Sequence, residues 1–172
     1  MTDPVRPSHL SRTEGVVASL HLHPATSGEP LLGAATFHLV AQKGIEEDVR
    51  YFGRVSRLTR QPSRRQLTLI EREQIAEHAA VLGLPALPPG VVRSNLETTG
   101  IDLRALIGRQ VEIGTALVHF YELRQPCQQM DDIAPGLRQL MKDRQGVLAE
   151  VLRSGVVRVG DALRVVDAAK AG

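Results

Sequence analysis

The sequence has one cysteine, no tryptophan, two tyrosines and three phenylalanines among its 172 residues. One cysteine cannot form a disulfide within the chain, so no disulfide framework holds this fold together. Apolar residues make up 42% of the chain and aromatic residues only 3%, so the core must be built from valine, leucine, isoleucine and alanine. That apolar content excludes a disordered chain and is typical of one globular domain.

Long apolar runs and a strong charge of one sign are also missing. No stretch of about 18 apolar residues occurs, and the N-terminus lacks the basic start and apolar run of a secretory signal. We therefore expect a cytoplasmic protein without membrane contact, in which the single thiol stays reduced. The formal net charge of +2 argues against a nucleic-acid-binding protein, because such proteins gather a basic excess on one face. The oligomeric state is left open.

What the chain does contain is many short strand patterns and few helical ones. Residues 1–14 are polar and hold two prolines, so we predict a flexible leader, one domain over residues 15–167 and a tail over 168–172. Strands are predicted at 16–23, 35–41, 66–70, 110–113, 116–123, 147–152, 156–159 and 163–166, with further pairing over 91–97. Helices are predicted at 71–82 and 132–142, with a single turn at 103–107. These elements predict a mainly β protein with peripheral helices, built as a closed or partly closed β-barrel.

The only cysteine is the first candidate for chemistry. Cys127 follows Pro126 just after a predicted strand, on a turn that the proline stiffens. Arg124 lies three residues earlier, and a neighbouring cation favours the thiolate, which attacks electrophiles, binds soft metals or carries a persulfide sulfur. The spacing alone does not separate these roles from that of a small buried hydrophobic residue.

Arginines and histidines form two further groups of candidates. Clustered arginines can bind phosphate through paired donors, although the same pattern is typical of a solvated loop. The histidines at positions 21, 23, 38 and 119 lack the spacing of a zinc site and are interpreted as surface or packing residues. No glycine-rich phosphate loop follows a predicted strand. The arginine-rich stretch contains Arg50, Arg54, Arg57, Arg60, Arg64 and Arg65, with no acidic residue from Val49 to Ile70.

The order of several short segments resembles the MOSC domain, the module named for the C-terminal region of molybdenum cofactor sulfurases. The segments lie at 20–24, 44–48, 65–69, 93–96, 99–103, 124–127, 145–147 and 159–161. The resemblance covers about residues 15–167 and implies a stand-alone, bacterial-type MOSC protein. It also implies a β-barrel core with peripheral helices, in agreement with the strand pattern.

The resemblance implies one of two roles for Cys127. In some members the matching cysteine binds the molybdenum of a molybdenum cofactor (molybdopterin) and the protein reduces N-hydroxylated compounds. In others it carries a persulfide supplied by a pyridoxal-phosphate-dependent cysteine desulfurase. The segment of Arg93, Ser94 and Asn95 matches the family's Arg-x-Asn motif, which implies binding of the pterin phosphate. Arg65 by its position, and Arg124, are expected in the same cleft.

The sequence departs from the family pattern in the first loop and before one strand. Glu47-Asp48 stands where Gly-Asp is usual, and Val49-Arg50 follows where a histidine is common nearby. Because Glu47 cannot adopt positive φ as easily as glycine, we expect a differently shaped loop. Gln145 replaces the first glycine of a Gly-Gly pair. No flavin or iron–sulfur domain is present, so a reductase would need a separate electron-donor protein, just as a sulfur carrier would need a desulfurase.

Overall fold

The computed structural model describes residues 13–166, so nearly all of the predicted leader and tail lies outside the described residues. The described strands are β1 Glu14–Leu22, β2 Leu32–Ala34, β3 Thr36–Val40, β4 Gly44–Ile45, β5 Leu67–Glu71, β6 Leu96–Thr99, β7 Gln110–Ile113, β8 Ala116–Leu123, β9 Val147–Arg153, β10 Gly155–Arg158 and β11 Ala162–Val166. The helices are α1 Arg72–Val81, α2 Gln129–Ile133 and α3 Leu137–Leu140, with a 3-10 turn at Arg104–Leu106. No helix in this range is long and apolar enough to cross a membrane.

Seven strands close into a barrel in the order β11, β7, β8, β9, β5, β6 and β1. The ring is completed where β1 pairs with β11, with Glu14 opposite Arg164 and Val16 opposite Ala162. Strands β5 and β6 are parallel, while the other neighbours in the ring are antiparallel. Strand β2 extends the sheet from β1, and β3, β4 and β10 form a second small sheet. The mainly β barrel expected from the sequence is confirmed.

The barrel interior is filled by every second residue of its strands. In β8, Ala116, Val118 and Phe120 are buried while the residues between them are partly exposed, which is the period of two expected for a strand with one face inside. Phe37 and Phe120 are the only aromatic residues in this core, and the rest is aliphatic, as the composition requires. A second cluster beneath the helices contains Ile70, Ile75, Val92, Met130, Ala134, Leu137 and Met141.

Two predicted elements were wrong in their bounds. The helix predicted at 132–142 is two short helices, the first of which begins at Gln129. Pro135 has no amide hydrogen, and Gly136 has φ +88°, so the chain cannot continue as one helix there. In the segment predicted to pair over 91–97, only 96 and 97 belong to a strand. Residues 91 and 92 form a turn, and Arg93 has φ +62°, which an extended strand cannot contain.

Candidate functional site

Cys127 lies at the edge of an open pocket of about 280 Å³ that is rich in arginine. The pocket is formed by segments far apart in sequence: the end of β1, the loop between β4 and β5, the turn before β6 and the connection from β8 to α2. Its lining residues are His23, Ser27, Arg50, Tyr51, Arg65, Arg93, Arg124, Gln125, Cys127 and Gln129. No acidic side chain is among them.

The side chain of Cys127 is exposed. Its carbonyl oxygen accepts a hydrogen bond from the Met130 amide (3.1 Å), so the residue sits where the chain turns into α2. Its Sγ lies 3.8 Å from Gln129 Oε1. The alternative of a small buried hydrophobic residue is therefore wrong, because this thiol can be reached by a ligand or by another protein.

Arg124, by contrast, is buried, with only 5% of its surface exposed. Its backbone amide donates to the Gly146 carbonyl oxygen (2.9 Å), and its Nη1 donates to Ser94 Oγ (2.8 Å). Within residues 13–166 no aspartate or glutamate forms an ion pair with its guanidinium. A buried cation is normally paired with an anion, so this position lacks a negative partner.

The surroundings of Arg124 make its charge less favourable still. Burial above all, and also the positive charges of Arg65 and Arg93, lower the pKa of its guanidinium to about 10, against the opposing effects of Cys127 and Tyr51. Several like charges gathered at one pocket repel one another unless an anion lies among them. The electrostatics of this pocket therefore favour a negatively charged ligand.

Tyr51 orders the arginines on the other side of the pocket. The guanidinium carbons of Arg50, Arg54 and Arg65 lie 5.7, 4.6 and 5.7 Å from the centroid of its ring. These are cation–π distances, at which the ring face attracts a guanidinium. Tyr51 therefore holds two pocket arginines, Arg50 and Arg65, while leaving their hydrogen-bond donors available.

Asp48 fixes the loop that carries Arg50 and Tyr51. The residue is buried, with 1% of its surface exposed. Its Oδ1 accepts from the amides of Arg50 (3.2 Å) and Tyr51 (3.1 Å), and its Oδ2 accepts from His23 Nδ1 (2.7 Å). Burial raises the pKa of Asp48, but hydrogen bonding and charge from His23 lower it, and the net result is a lowered pKa. Asp48 is thus an ionised anchor rather than a pocket-lining group.

Ser94 and Asn95 lie beneath the pocket rather than on its surface. Both are buried. Asn95 Oδ1 accepts from the amide (3.1 Å) and the hydroxyl (3.0 Å) of Thr68, while its Nδ2 donates to the His21 carbonyl oxygen (3.2 Å) and to Asp48 Oδ2 (3.4 Å). Ser94 accepts from Arg124. Their contacts join β1, β5 and the Asp48 loop behind the arginines.

The structure therefore brings together Cys127, Arg65, Arg93 and Arg124 of the predicted site residues. It adds Tyr51, which the sequence analysis missed, and also Arg50 and His23, which that analysis did not assign to this cleft. Arg50 and Tyr51 lie two and three residues after Asp48, at the start of the arginine-rich stretch, which is the signal that could have singled them out. His23 directly precedes Pro24 at the end of β1. The other three histidines that the sequence analysis interpreted as surface or packing residues do not line this pocket: His21 contacts the Ser94 carbonyl oxygen, His38 is hydrogen-bonded to Glu47, and His119 to Glu150.

The closed, mainly β barrel agrees with the fold that the sequence resemblance implies. The MOSC domain model matches residues 28–164, and the chain belongs to the MOSC domain family. No curated protein sequence matches the chain.

Solved structures give the same fold. The YuaD protein from Bacillus subtilis is similar with a TM-score of 0.71 and 19% identity, over 87% of this chain and 94% of that chain. YiiM from Geobacillus stearothermophilus gives a TM-score of 0.64 and 18% identity, over 89% and 75% of the two chains. YiiM from Escherichia coli gives 0.62 and 21%, over 91% and 70%. At these identities the likeness establishes the fold alone.

Proposed function

We propose that this MOSC protein binds a molybdenum cofactor, with the Cys127 thiolate as a ligand of the molybdenum. The observation that carries the proposal is an exposed thiol beside Arg124, a buried cation that has no carboxylate partner within residues 13–166. Thiolate is a soft ligand suited to such a metal, and the planar guanidinium matches the oxygens of a phosphate. The donor set fits a group that carries both a soft metal and a phosphate.

The space around these donors also fits an extended organic group. The arginine pocket shares Arg93 and Gln129 with a neighbouring depression of about 390 Å³. That depression is lined by the apolar side chains of Leu31, Val91 and Ile133 and also by Asp132. A ligand with a charged end and a larger uncharged body could occupy both spaces.

Each pocket residue has a distinct part in this proposal. Arg124 is held by Ser94, and Arg93 by a bond from its Nη1 to the Glu29 carbonyl oxygen (2.9 Å), so both are preorganised for an anion. When bound, the cofactor supplies two-electron or oxygen-atom-transfer chemistry at molybdenum. We infer reduction of N-hydroxylated compounds as the reaction class, with electrons from a separate donor protein in the cytoplasm.

The exposure of Cys127 favours a second candidate function, that of a sulfur carrier. In this function the Cys127 thiolate attacks the outer sulfur of a persulfide on a cysteine desulfurase. The bond between the two desulfurase sulfurs breaks, a persulfide forms on Cys127 and the desulfurase cysteine leaves as a thiolate, so no external oxidant or reductant is needed. The nearby arginines would stabilise the anionic persulfide.

Metal analysis of protein from a host that makes molybdenum cofactor tests the first function. We expect stoichiometric molybdenum in the wild-type protein and none in Cys127→Ala, because the thiolate is the proposed metal ligand. Arg57→Ala is the matched control, since Arg57 is exposed and does not line the pocket. Elemental analysis and an absorption spectrum are the measurements.

The same variants separate the two functions. Protein without molybdenum that gains a cyanide-labile sulfur on Cys127 after incubation with a desulfurase and cysteine would support the sulfur carrier instead. If neither molybdenum nor labile sulfur is found, and Cys127 does not react with thiol reagents, both functions are wrong.

A further inference from the structure

His23 is buried, with 8% of its surface exposed, yet it forms part of the wall of the arginine pocket. Its Nδ1 lies 2.7 Å from Asp48 Oδ2. A ring lone pair would repel a carboxylate oxygen at that distance, so Nδ1 carries a hydrogen and donates to Asp48. In the neutral ring the other nitrogen, Nε2, is then an acceptor that carries no proton.

Nε2 of His23 has no hydrogen-bond partner within residues 13–166. A polar atom that is shielded from solvent and has no hydrogen-bond partner would be unfavourable. Within residues 13–166, Nε2 of His23 is not an atom of that kind. His23 lines the pocket, and Nε2 is the ring nitrogen that Asp48 leaves without a hydrogen bond. This atom is therefore available to a ligand in the pocket.

From these contacts we propose that His23 is a further ligand of the anion and that the anion binds together with one proton on Nε2. The unprotonated nitrogen would present a lone pair to an oxyanion and repel it. The protonated nitrogen would instead donate a charge-assisted hydrogen bond. Asp48 is the positioning residue that sets the orientation of the ring. The inference rests on the proposed anion site and adds a proton to its chemistry.

The charges around the ring explain why proton and anion arrive together. Asp48 favours a positive imidazolium, whereas the pocket arginines oppose a further positive charge while no anion is present. A bound dianion offsets that repulsion, so the ring takes up its proton on binding. By linkage the affinity for the anion then decreases as pH rises. The groups that face His23 are Asp48, Tyr51 and Asn95, together with Arg50, Arg65, Arg93, Arg124 and Cys127 across the pocket.

Inorganic sulfate is the probe for the test, because it stays a dianion between about pH 5 and 8, where imidazole exchanges its proton. Titration calorimetry on protein from a host without molybdenum cofactor, in two buffers of different ionisation enthalpy, counts the protons taken up. Ionic strength is held constant because exposed charges are screened by salt.

Two substitutions separate the two ring nitrogens. His23→Asn keeps an amide donor near the Nδ1 position for Asp48 and removes Nε2. His23→Gln places a donor that does not titrate near the Nε2 position. The control is His119→Asn, since His119 pairs with Glu150 (2.9 Å) and does not line the pocket.

The wild-type protein and His119→Asn should take up a fraction of one proton per sulfate, with an affinity that decreases by up to about tenfold per pH unit. Neither His23 variant should take up a proton, and the affinity of both should be independent of pH. Of the two, His23→Gln should bind sulfate more tightly. Proton uptake that persists in the His23 variants, or wild-type affinity that does not change with pH, would overturn this inference alone. No sulfate binding at any pH would contradict the proposed anion site itself.

Discussion

At the scale of single residues, Arg124 combines a role in binding with an unfavourable place in the fold. Its guanidinium is buried beside other arginines, and its one side-chain partner within residues 13–166 is the neutral Ser94. The energy of removing a charge from water is not recovered there by an ion pair. The side chain is explained by what it binds rather than by the stability that it gives to the empty protein.

Replacing Arg124 by a neutral side chain of similar size should therefore weaken anion binding without lowering the free energy of unfolding. In Arg124→Met we expect the free energy of unfolding to be unchanged or raised by about 1 kcal/mol, because a buried charge without a partner is removed. Added sulfate should stabilise the wild-type protein by binding to its folded form. It should stabilise the variant much less. Urea denaturation with and without sulfate measures both effects.

Sulfate also stabilises proteins in general, by exclusion from their surface. Arg57→Met, an exposed change outside the pocket, gives the size of that general effect. A decrease of several kcal/mol in the stability of Arg124→Met without sulfate would show instead that Arg124 is a structural residue.

The sequence predicted the part of this site that is carried by continuous segments. Cys127 and Arg124 lie in one tetrapeptide, and Arg93 lies in another. His23 and Asp48, however, are 25 residues apart and meet only because the end of β1 packs against the loop after β4. Pairing of that kind depends on the tertiary structure, so local patterns could not reveal the His23 ring as a pocket residue.

At the scale of elements, the start of β9 depends on a glycine at Gly146. This residue has φ +82°, and a Cβ there would lie 1.9 Å from the Leu69 carbonyl oxygen in β5. Its own carbonyl oxygen accepts from the Arg124 amide (2.9 Å). The close approach of β5 and β9 therefore also sets the position of the pocket cation.

An added methyl group at this glycine should disrupt the barrel wall. We expect Gly146→Ala to lower the free energy of unfolding by more than about 3 kcal/mol or to prevent folding, because backbone atoms of two strands would have to separate. The control Gly83→Ala also places alanine at positive φ (+63°), but in open space. It should cost only about 1 kcal/mol. Thermal denaturation compares the two, and equal losses would contradict the close approach.

Elements set by local signals were predicted well. Helix α1, predicted at 71–82, spans Arg72–Val81, and Gly83 follows with positive φ. The hairpin of β7 and β8 forms around Gly114-Thr115 as expected. The helix predicted at 132–142 was wrong because Pro135-Gly136 divides that segment into two short helices. The ring order of the strands was not predictable, because it depends on pairing between distant segments.

At the scale of the whole molecule, β11 closes the barrel by pairing with β1 on one side and β7 on the other. A chain that ends after Gly160 would leave both neighbours with unpaired edges and would expose core residues such as Val111 and Ile113, which are fully buried by the closed wall. We expect that chain to aggregate, since open strand edges pair with other molecules. A chain that ends after Val166 keeps every described strand and should remain monodisperse by light scattering if β11 is what closes the barrel.

The pairing of β1 with β11 also has a consequence for how the protein is made. The N-terminal part of β1 has no β11 partner until the ribosome has synthesised almost 150 more residues, which is the separation between Val16 and Ala162. Closure of the ring is therefore a long-range event, and such contacts form slowly because a long loop must close first. During translation the incomplete barrel has two unpaired strand edges. These edges can pair with other protein chains until β11 is synthesised and closes the barrel.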